Sequence, residues 1–272
     1  MFDKKIRDAM IRNNTLLCVG LDPDFDKLPQ HIKKGKDALF NFNSAIIDAT
    51  ADLVCAYKPN SAFYEAHGPD GLRQLRQTTD YLHDKYPDIP IILDAKRADI
   101  GNTNNGYVEF TFDYLGADAV TLHPYLGREA LEPFLNRSDK GSIILCRTSN
   151  PGAGEFQDLL VDNEPIYQRV ARSVVKNWNA NNNCMLVIGA TYPEEMKIIR
   201  GIAGDMLFLV PGIGAQGGDV KSVMESGIDS KNQGVIINSA RGIIYASGGD
   251  DFAQAARVEA IKLKDEVNQY RN

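Results

Sequence analysis

Residues 89–99, IPIILDAKRAD, join a short apolar run to a dense group of charged side chains. The run at 89–93 is continuously apolar, which is typical of a strand in a parallel sheet covered on both faces. Asp94, Lys96 and Asp99 follow it directly. Charged groups at the end of a buried strand are costly unless they are paired or used. The stretch therefore predicts a buried parallel sheet and indicates the edge at which its chemistry lies.

Apolar runs of this kind occur at 16–21, 53–57, 89–93, 117–122, 142–146, 184–188, 206–210 and 234–237. Segments with helical spacing separate them. One carries Leu72, Leu75 and Leu82 on one stripe, with Asp70 as a possible N-cap. Parallel strands need crossover connections of this length. Eight such units predict an α/β protein in which residues 1–272 form a single (β/α)8 TIM barrel, and a doubly wound open sheet is the alternative.

The composition indicates a small soluble ligand. The chain has 30 Lys and Arg against 36 Asp and Glu, a net charge of −6, whereas nucleic-acid polymers and anionic membranes attract clustered positive charge. No stretch reaches the ~18 apolar residues of a membrane span. The cysteines lie singly in apolar runs, as buried thiols do in a reducing compartment; they are Cys18, Cys55, Cys146 and Cys184. We therefore predict a cytoplasmic protein.

Polar side chains follow most of the predicted strands. In a barrel, the active site lies at the carboxyl ends of the strands and in the loops after them. Asp94 and Lys96 are two residues apart, so on an extended backbone they share one face, and Lys58 follows the neighbouring strand. The sequence thus predicts carboxylates alternating with ammonium groups at one point, although a structural ion-pair network would give the same pattern. The other polar residues in such positions are Asp22, Arg147, Thr148, Ser149, Asn238 and Arg241.

The segment GIGAQG at 212–217 formally matches the G-x-G-x-x-G motif of dinucleotide-binding folds. That motif belongs after the first strand, with an acidic residue at the end of the next strand. Here it follows the seventh apolar run, and the next strand ends in Asn238, so NAD binding is disfavoured. Glycines still let backbone amides approach an anion. With Arg241, the segment predicts a phosphate site of the kind that barrels often carry after strands seven and eight.

Two further features have open interpretations. His123 ends the fourth run and either lines the pocket or is satisfied structurally. The segment SNPGAGE at 149–155 contains two glycines, which suit a mobile lid or an ordinary tight turn equally well.

Taken together, these motifs resemble those of the orotidine 5′-monophosphate decarboxylase family, in its longer bacterial subgroup. The segment LDAKRADIGNT at 93–103 is similar to the family's signature. Five further segments occur in the family's order with plausible spacing, and the likeness covers nearly the whole chain. They are GLDPD at 20–24, AYKPN at 56–60, SNPG at 149–152, PGIGAQGG at 211–218 and NSARGIIYA at 238–246.

The resemblance implies an enzyme of de novo pyrimidine biosynthesis that converts orotidine 5′-monophosphate to uridine 5′-monophosphate without a cofactor or metal. It implies that Lys96 donates a proton to C6 of the pyrimidine and that Asp94, Asp99 and Lys58 complete the charged array. It also implies a homodimer with shared sites, in which Asp99 and Thr103 serve the partner's substrate. The remaining roles implied are ribose binding by Asp22, pyrimidine binding by Ser149, and phosphate binding by Gln216 and Arg241.

Two other functions remain open from the sequence. Metal-dependent sugar-phosphate enzymes of the same suprafamily share the Asp-x-Lys-x-x-Asp run, but the resemblance implies an acidic residue in them where Lys58 stands. A hard cation prefers oxygen ligands, so a lysine disfavours that function. A phosphate-binding barrel without decarboxylase activity, or an isomerase, would explain GIGAQG and Arg241. Neither requires two lysines and two aspartates at one point.

Overall fold

The computed structural model describes residues 1–213 and 218–271. Eight parallel strands form one sheet in the order β2-β1-β8-β7-β6-β5-β4-β3. Single parallel bridges from Tyr57 to Ile91 and from Asn60 to Asp94 join β2 to β3, so the two edges of the sheet meet and the barrel closes. The strands are β1 Leu17–Leu21, β2 Ala56–Pro59, β3 Ile92–Arg97, β4 Ala119–Leu122, β5 Gly141–Arg147, β6 Cys184–Ile188, β7 Phe208–Pro211 and β8 Val235–Ser239.

Helices lie between the strands, as the crossover connections of a parallel sheet require. The α-helices are Phe2–Arg12, Gln30–Lys33, Ala38–Thr50, Ala62–Glu65, Gly68–Lys85, Gly101–Val108, Gly127–Leu135, Gly154–Gln157, Ile166–Ser173, Pro193–Ala203, Val220–Gly227, Arg241–Ile244 and Phe252–Asn268. Short 3₁₀ turns cover Phe25–Lys27, Ala51–Leu53 and Pro151–Ala153, and π-helical turns cover Glu109–Tyr114 and Val174–Trp178. A two-stranded antiparallel hairpin joins Leu160–Val161 to Glu164–Pro165.

The eight apolar runs coincide with the eight barrel strands, and the (β/α)8 prediction is confirmed. Five of the strands, β1, β2, β4, β6 and β8, are buried at every position. This burial on both faces is the reason that their sequences are continuous rather than alternating in hydrophobicity. Among the residues described, no helix is both long and apolar enough to cross a membrane.

Two local predictions differ from the structure. Asp70 does not cap its helix: Gly68–Lys85 begins after His67 with a proline in the first turn, and the Asp70 carboxylate instead accepts hydrogen bonds from Arg73 and Gln74. The second difference concerns β3, whose register with β4 shifts between Leu93 and Arg97.

The irregularity in β3 involves the central lysine. Lys96 has a φ of 46°, a left-handed conformation that non-glycine residues rarely adopt. Asp94 and Lys96 therefore do not share a face through a regular extended backbone. Their side chains meet because the strand bulges, and bulges of this kind re-aim side chains next to functional sites.

Candidate active site

A cavity of about 460 Å³ lies over the carboxyl ends of the barrel strands. Its walls combine the polar residues that follow the strands with apolar side chains from the strands themselves. This is the usual composition of a small-molecule site. The described residues that line it include Asp22, Lys58, Asn60, Asp94, Lys96, Thr121, Leu145, Thr148, Ser149, Asn150, Gln157, Val187, Pro211, Ile213, Asn238 and Arg241.

The carboxylate of Asp94 is the centre of the polar cluster. Its Oδ2 accepts a hydrogen bond from Lys58 Nζ at 2.9 Å, and its Oδ1 accepts one from Lys96 Nζ at 2.7 Å. The hydroxyl of Thr121 also donates to Oδ1, at 2.8 Å. Two ammonium groups and one hydroxyl therefore hold this carboxylate in place. Such charge-assisted bonds are stronger than neutral ones.

Burial and charge act in opposite directions on these groups. Burial favours the neutral form of Asp94, but the positive charges of Lys58 and Lys96 outweigh it and hold the pKa of that carboxyl well below its usual value. Burial likewise opposes the charged form of Lys58, yet the negative charges of Asp22 and Asp94 raise the pKa of this lysine. Asp94 and Lys58 are therefore both ionised near neutral pH.

Lys58 and Lys96 have different surroundings although both contact Asp94. The side chain of Lys58 is 3% exposed, whereas that of Lys96 is 50% exposed. Lys58 is enclosed by the barrel, and Lys96 presents its ammonium group at the open side of the cluster, where a ligand is able to reach it.

Asp22 lies beside the cluster at the end of β1. Its Oδ1 accepts a hydrogen bond from the backbone N–H of Asn60 at 3.1 Å. Burial raises the pKa of Asp22, and the positive charge of Lys58 opposes that rise. A half-buried carboxylate of this kind in a cavity wall is suited to accept hydrogen bonds from ligand hydroxyls.

Two further predicted ligand-binding residues, Ser149 and Arg241, lie on the β5 and β8 sides of the cavity. Arg241 begins a short helix directly after β8 and lines the cavity, so a cation stands at this side. Ser149 lines it after β5. Gln216 lies outside the described residues.

Asp99 and Thr103 are not among the described residues that line this cavity. Asp99 lies between β3 and the helix Gly101–Val108, and its Oδ1 accepts a hydrogen bond from the N–H of Ile100 at 2.7 Å. Thr103 is exposed and borders a separate shallow depression with Arg97 and Tyr107. His123 is half-buried and is also absent from the described cavity lining.

Five polar residues of the described cavity lining were not singled out individually from the sequence: Asn60, Thr121, Asn150, Gln157 and Ser239. Thr121 accepts a hydrogen bond from the backbone N–H of Lys96 at 2.9 Å while donating to Asp94, so it joins the bulged backbone to the carboxylate. A signal was present, since Thr121 is the one polar residue of the otherwise apolar strand β4. Gln157 had no such signal, because it lies on a short helix well after its strand.

Comparisons with known proteins identify the family to which the chain belongs. The profile of the Orotidine 5′-phosphate decarboxylase / HUMPS family matches residues 15–257. The orotidine 5′-phosphate decarboxylase of Cellvibrio japonicus (strain Ueda107) is 51% identical over 272 residues, which are 99% of each chain. That of Azoarcus sp. (strain BH72) is 48% identical over 270 residues, again 99% of each chain.

A solved structure of Leishmania donovani OMP decarboxylase superposes with a TM-score of 0.86 at 34% identity, covering 99% of this chain and 98% of that one. The likeness thus extends over the whole barrel, including the strand ends that carry the polar cluster. On these matches, the chain belongs to the orotidine 5′-phosphate decarboxylase family.

Proposed function

We propose that this protein decarboxylates orotidine 5′-monophosphate to uridine 5′-monophosphate without a cofactor, through a C6 carbanion that Lys96 protonates. The observation that carries the proposal is the Asp94 carboxylate held between Lys58 at 2.9 Å and Lys96 at 2.7 Å. The proposal is supported by the named relatives, whose sequences are 51% and 48% identical to this chain. This reaction belongs to pyrimidine biosynthesis.

The reaction demands electrostatic stabilisation at one carbon. When the bond between C6 and the carboxylate breaks, its electron pair remains in an sp² orbital that the ring delocalises poorly. A fixed cation beside C6 stabilises that charge in a site that excludes water. Lys96 supplies the cation and then gives its proton to C6, which completes the product, and it regains a proton from solvent. Asp94 orients the Lys96 ammonium group through the hydrogen bond of 2.7 Å between Nζ and Oδ1.

The two ends of the cavity suit the two ends of the substrate. Arg241 on the β8 side provides a cation for the phosphate, and we assign Gln216 to the same task. Asp22 has the environment of an acceptor for the ribose hydroxyls, and Lys58 lies between it and Asp94. Ser149 is assigned to the pyrimidine edge. Binding the phosphate far from C6 positions the reacting carbon and so contributes to the rate.

The arrangement of Asp94 disfavours the metal-dependent chemistry of sugar-phosphate enzymes. Each of its oxygens already accepts a hydrogen bond from an ammonium group. A divalent cation would have to displace one lysine and approach the charge of the other. Electrostatics therefore favours a function in which the lysines themselves provide the positive charge.

We also propose a homodimer with shared active sites. Asp99 and Thr103 lie outside the described lining of this chain's own cavity, while Ile100 between them is 64% exposed. An exposed apolar residue flanked by assigned site residues suits an interface that carries Asp99 into the partner's site. Mixing inactive Asp99→Ala and Lys96→Ala subunits should restore partial activity, and verified heterodimers without recovery would contradict the shared site.

Two broader assignments complete the proposal. All eight barrel strands belong to one sheet, so we assign residues 1–272 to one domain. The cysteines described are buried free thiols, which suits a reducing compartment, and we assign the protein to the cytoplasm. Fractionation of the native cells, with the protein detected by antibody, tests the second assignment.

A direct assay tests the activity. Purified protein incubated with orotidine 5′-monophosphate and EDTA should consume the substrate, followed by its loss of absorbance. The Lys96→Ala variant should lose activity by several orders of magnitude, while Lys197→Ala, which removes an exposed lysine elsewhere, should keep it. Absence of turnover by the wild-type protein with EDTA would refute the cofactor-free proposal. Near-normal kcat in Lys96→Ala would refute the assigned proton donor.

A further inference from the structure

The loop after β5 forms one wall of the cavity. Thr148, Ser149 and Asn150 follow the strand directly and line the cavity, and Gln157 lines it again from the end of the helix Gly154–Gln157. The chain therefore leaves the cavity wall after Asn150 and returns to it at Gln157. Contacts between the two ends of this loop are needed to fix its conformation, because loop residues without such contacts have conformational freedom.

The side-chain amide of Gln157 connects those two ends. Its Oε1 accepts hydrogen bonds from the backbone N–H of Thr148 at 2.9 Å and from Arg147 Nη1 at 3.2 Å. Its Nε2 donates to Thr148 Oγ1 at 2.8 Å. The Thr148 hydroxyl in turn donates to Asn150 Oδ1 at 2.7 Å. One amide thus closes the loop with three hydrogen bonds and extends its hold to Asn150.

Arg147 is a buried hydrogen-bond donor to Gln157. Only 2% of Arg147 is exposed, and its guanidinium lies 3.7 Å from the centre of the Tyr192 ring. It also pairs with Asp158 at 3.2 Å. Stacking on an aromatic face and an ion pair with Asp158 leave the planar guanidinium little freedom. The bond from Arg147 to Gln157 therefore comes from a fixed donor.

We propose that Gln157, held by Arg147, is a positioning residue that fixes the Thr148–Asn150 wall against which the pyrimidine ring binds. This inference rests on the proposed function, which places the phosphate at Arg241 and C6 at Lys96. With those two points occupied, the far edge of the ring faces the residues after β5. Gln157 sets the shape of that wall and hence the recognition of the base rather than of the phosphate.

The experiment compares Gln157→Leu with two other variants. Leucine removes all three hydrogen bonds at similar volume. Gln157→Glu keeps an acceptor for Thr148 N–H and Arg147 but loses the Nε2 donor, so it should fall between leucine and the wild type. Gln269→Leu is the matched control, because Gln269 is exposed in the segment after the last helix.

Calorimetry with uridine 5′-monophosphate and with ribose 5-phosphate provides a readout that general loss of structure would not give. In Gln157→Leu the affinity for the nucleotide should fall at least about tenfold, the loss expected for one to two net hydrogen bonds. The affinity for ribose 5-phosphate, which lacks the base, should stay within about twofold. KM for orotidine 5′-monophosphate should rise with the loss of nucleotide affinity.

Equal weakening of both ligands, or unchanged nucleotide binding, would overturn the inference. If Gln157→Leu does not fold, Gln157→Glu tests the inference in the same way. Its affinity for uridine 5′-monophosphate should fall by a smaller factor, while its affinity for ribose 5-phosphate should stay unchanged. Absence of turnover by the wild-type protein would refute the proposed function. Normal wild-type turnover with unchanged nucleotide affinity in Gln157→Leu would refute only the role of Gln157.

Discussion

Replacing Lys58 with methionine tests the electrostatics of the polar cluster through stability rather than activity. The Lys58 side chain is 3% exposed and donates to Asp94 Oδ2 at 2.9 Å. Methionine fills a similar volume, so the main loss is the positive charge between Asp94 and Asp22. Removing one partner of a buried ion pair costs about 3–5 kcal/mol because the other charge stays buried. Asp94 keeps Lys96 and the Thr121 hydroxyl as donors in this variant, so we expect the lower part of that range.

Protonation sets an upper limit on that cost. A carboxylate that has lost Lys58 is able to take up a proton, and doing so at pH 7 costs about 1.4 kcal/mol for each unit above an unfolded-state pKa of about 3.9, or about 4 kcal/mol. At pH 5 the same limit is about 1.5 kcal/mol. The variant should therefore be about 3–4 kcal/mol less stable than the wild type at pH 7 and at most about 1.5 kcal/mol less stable at pH 5.

Asp94 makes a constant contribution to the stability of the wild-type protein over this range. The pKa of Asp94 is lowered by folding, so its contribution to stability is present above its unfolded pKa and is lost only as the pH falls through the still lower folded value. Between pH 5 and pH 7 that contribution is constant. A narrowing of the difference between variant and wild type on acidification thus reports the variant's carboxylates.

Urea unfolding at pH 5, 6 and 7, without ligand, measures the difference. Lys262→Met is the control, because Lys262 is 65% exposed and pairs with Glu259 on the surface, where ion pairs contribute little. A Lys58→Met destabilisation that is below about 1 kcal/mol at pH 7, or that does not change with pH, would contradict the reasoning from the paired buried charge.

Three further substitutions test other parts of the cavity. Thr121→Val removes the hydroxyl that donates to Asp94. Because this bond favours the ionised carboxylate, its loss should raise the pKa of Asp94, move the acidic limb of the pH profile of kcat to higher pH and lower kcat about tenfold. An acidic limb at the same pH as in the wild type would count against this role of Thr121. Arg241→Gln should raise KM for orotidine 5′-monophosphate about 100-fold while the affinity for uridine without phosphate stays constant, and an equal loss for both ligands would exclude a phosphate-specific role. Gly189→Ala would place a Cβ 2.7 Å from Ser149 Cβ and so displace the loop after β5. Steady-state kinetics should then show a higher KM for orotidine 5′-monophosphate. An unchanged KM would mean that this loop does not contact the substrate.

Local sequence was sufficient for the architecture. Each apolar run is long enough for one strand and is separated from the next by a helix, and parallel strands connected in this way close into a barrel. The limits of the runs were less accurate. The run at 53–57 begins the strand only at Ala56, because Ala51–Leu53 forms a 3₁₀ turn. The turn competes with the strand for the same residues, and only packing decides between them.

The sequence also indicated most of the site, because barrel chemistry collects at strand ends and the charged residues stand there. The meeting of Lys58, Asp94 and Lys96 was predictable from this rule, although the reason given for Asp94 and Lys96 was wrong. They meet through a bulge in which Lys96 has a φ of 46°. An extended-backbone argument has no means of anticipating a left-handed residue that tertiary contacts hold in place.

The sequence by itself thus determined the barrel, the strand ends that carry charge, and the family. Tertiary structure alone decided which side chains share hydrogen bonds. Thr121 lies 27 residues from Asp94 in the chain, and Lys58 lies 36 residues from it. Gln157 returns across nine residues to Thr148. These bonds depend on the register between neighbouring strands and on the path of one loop. Both are set by packing of the whole barrel, which no local pattern of residues encodes.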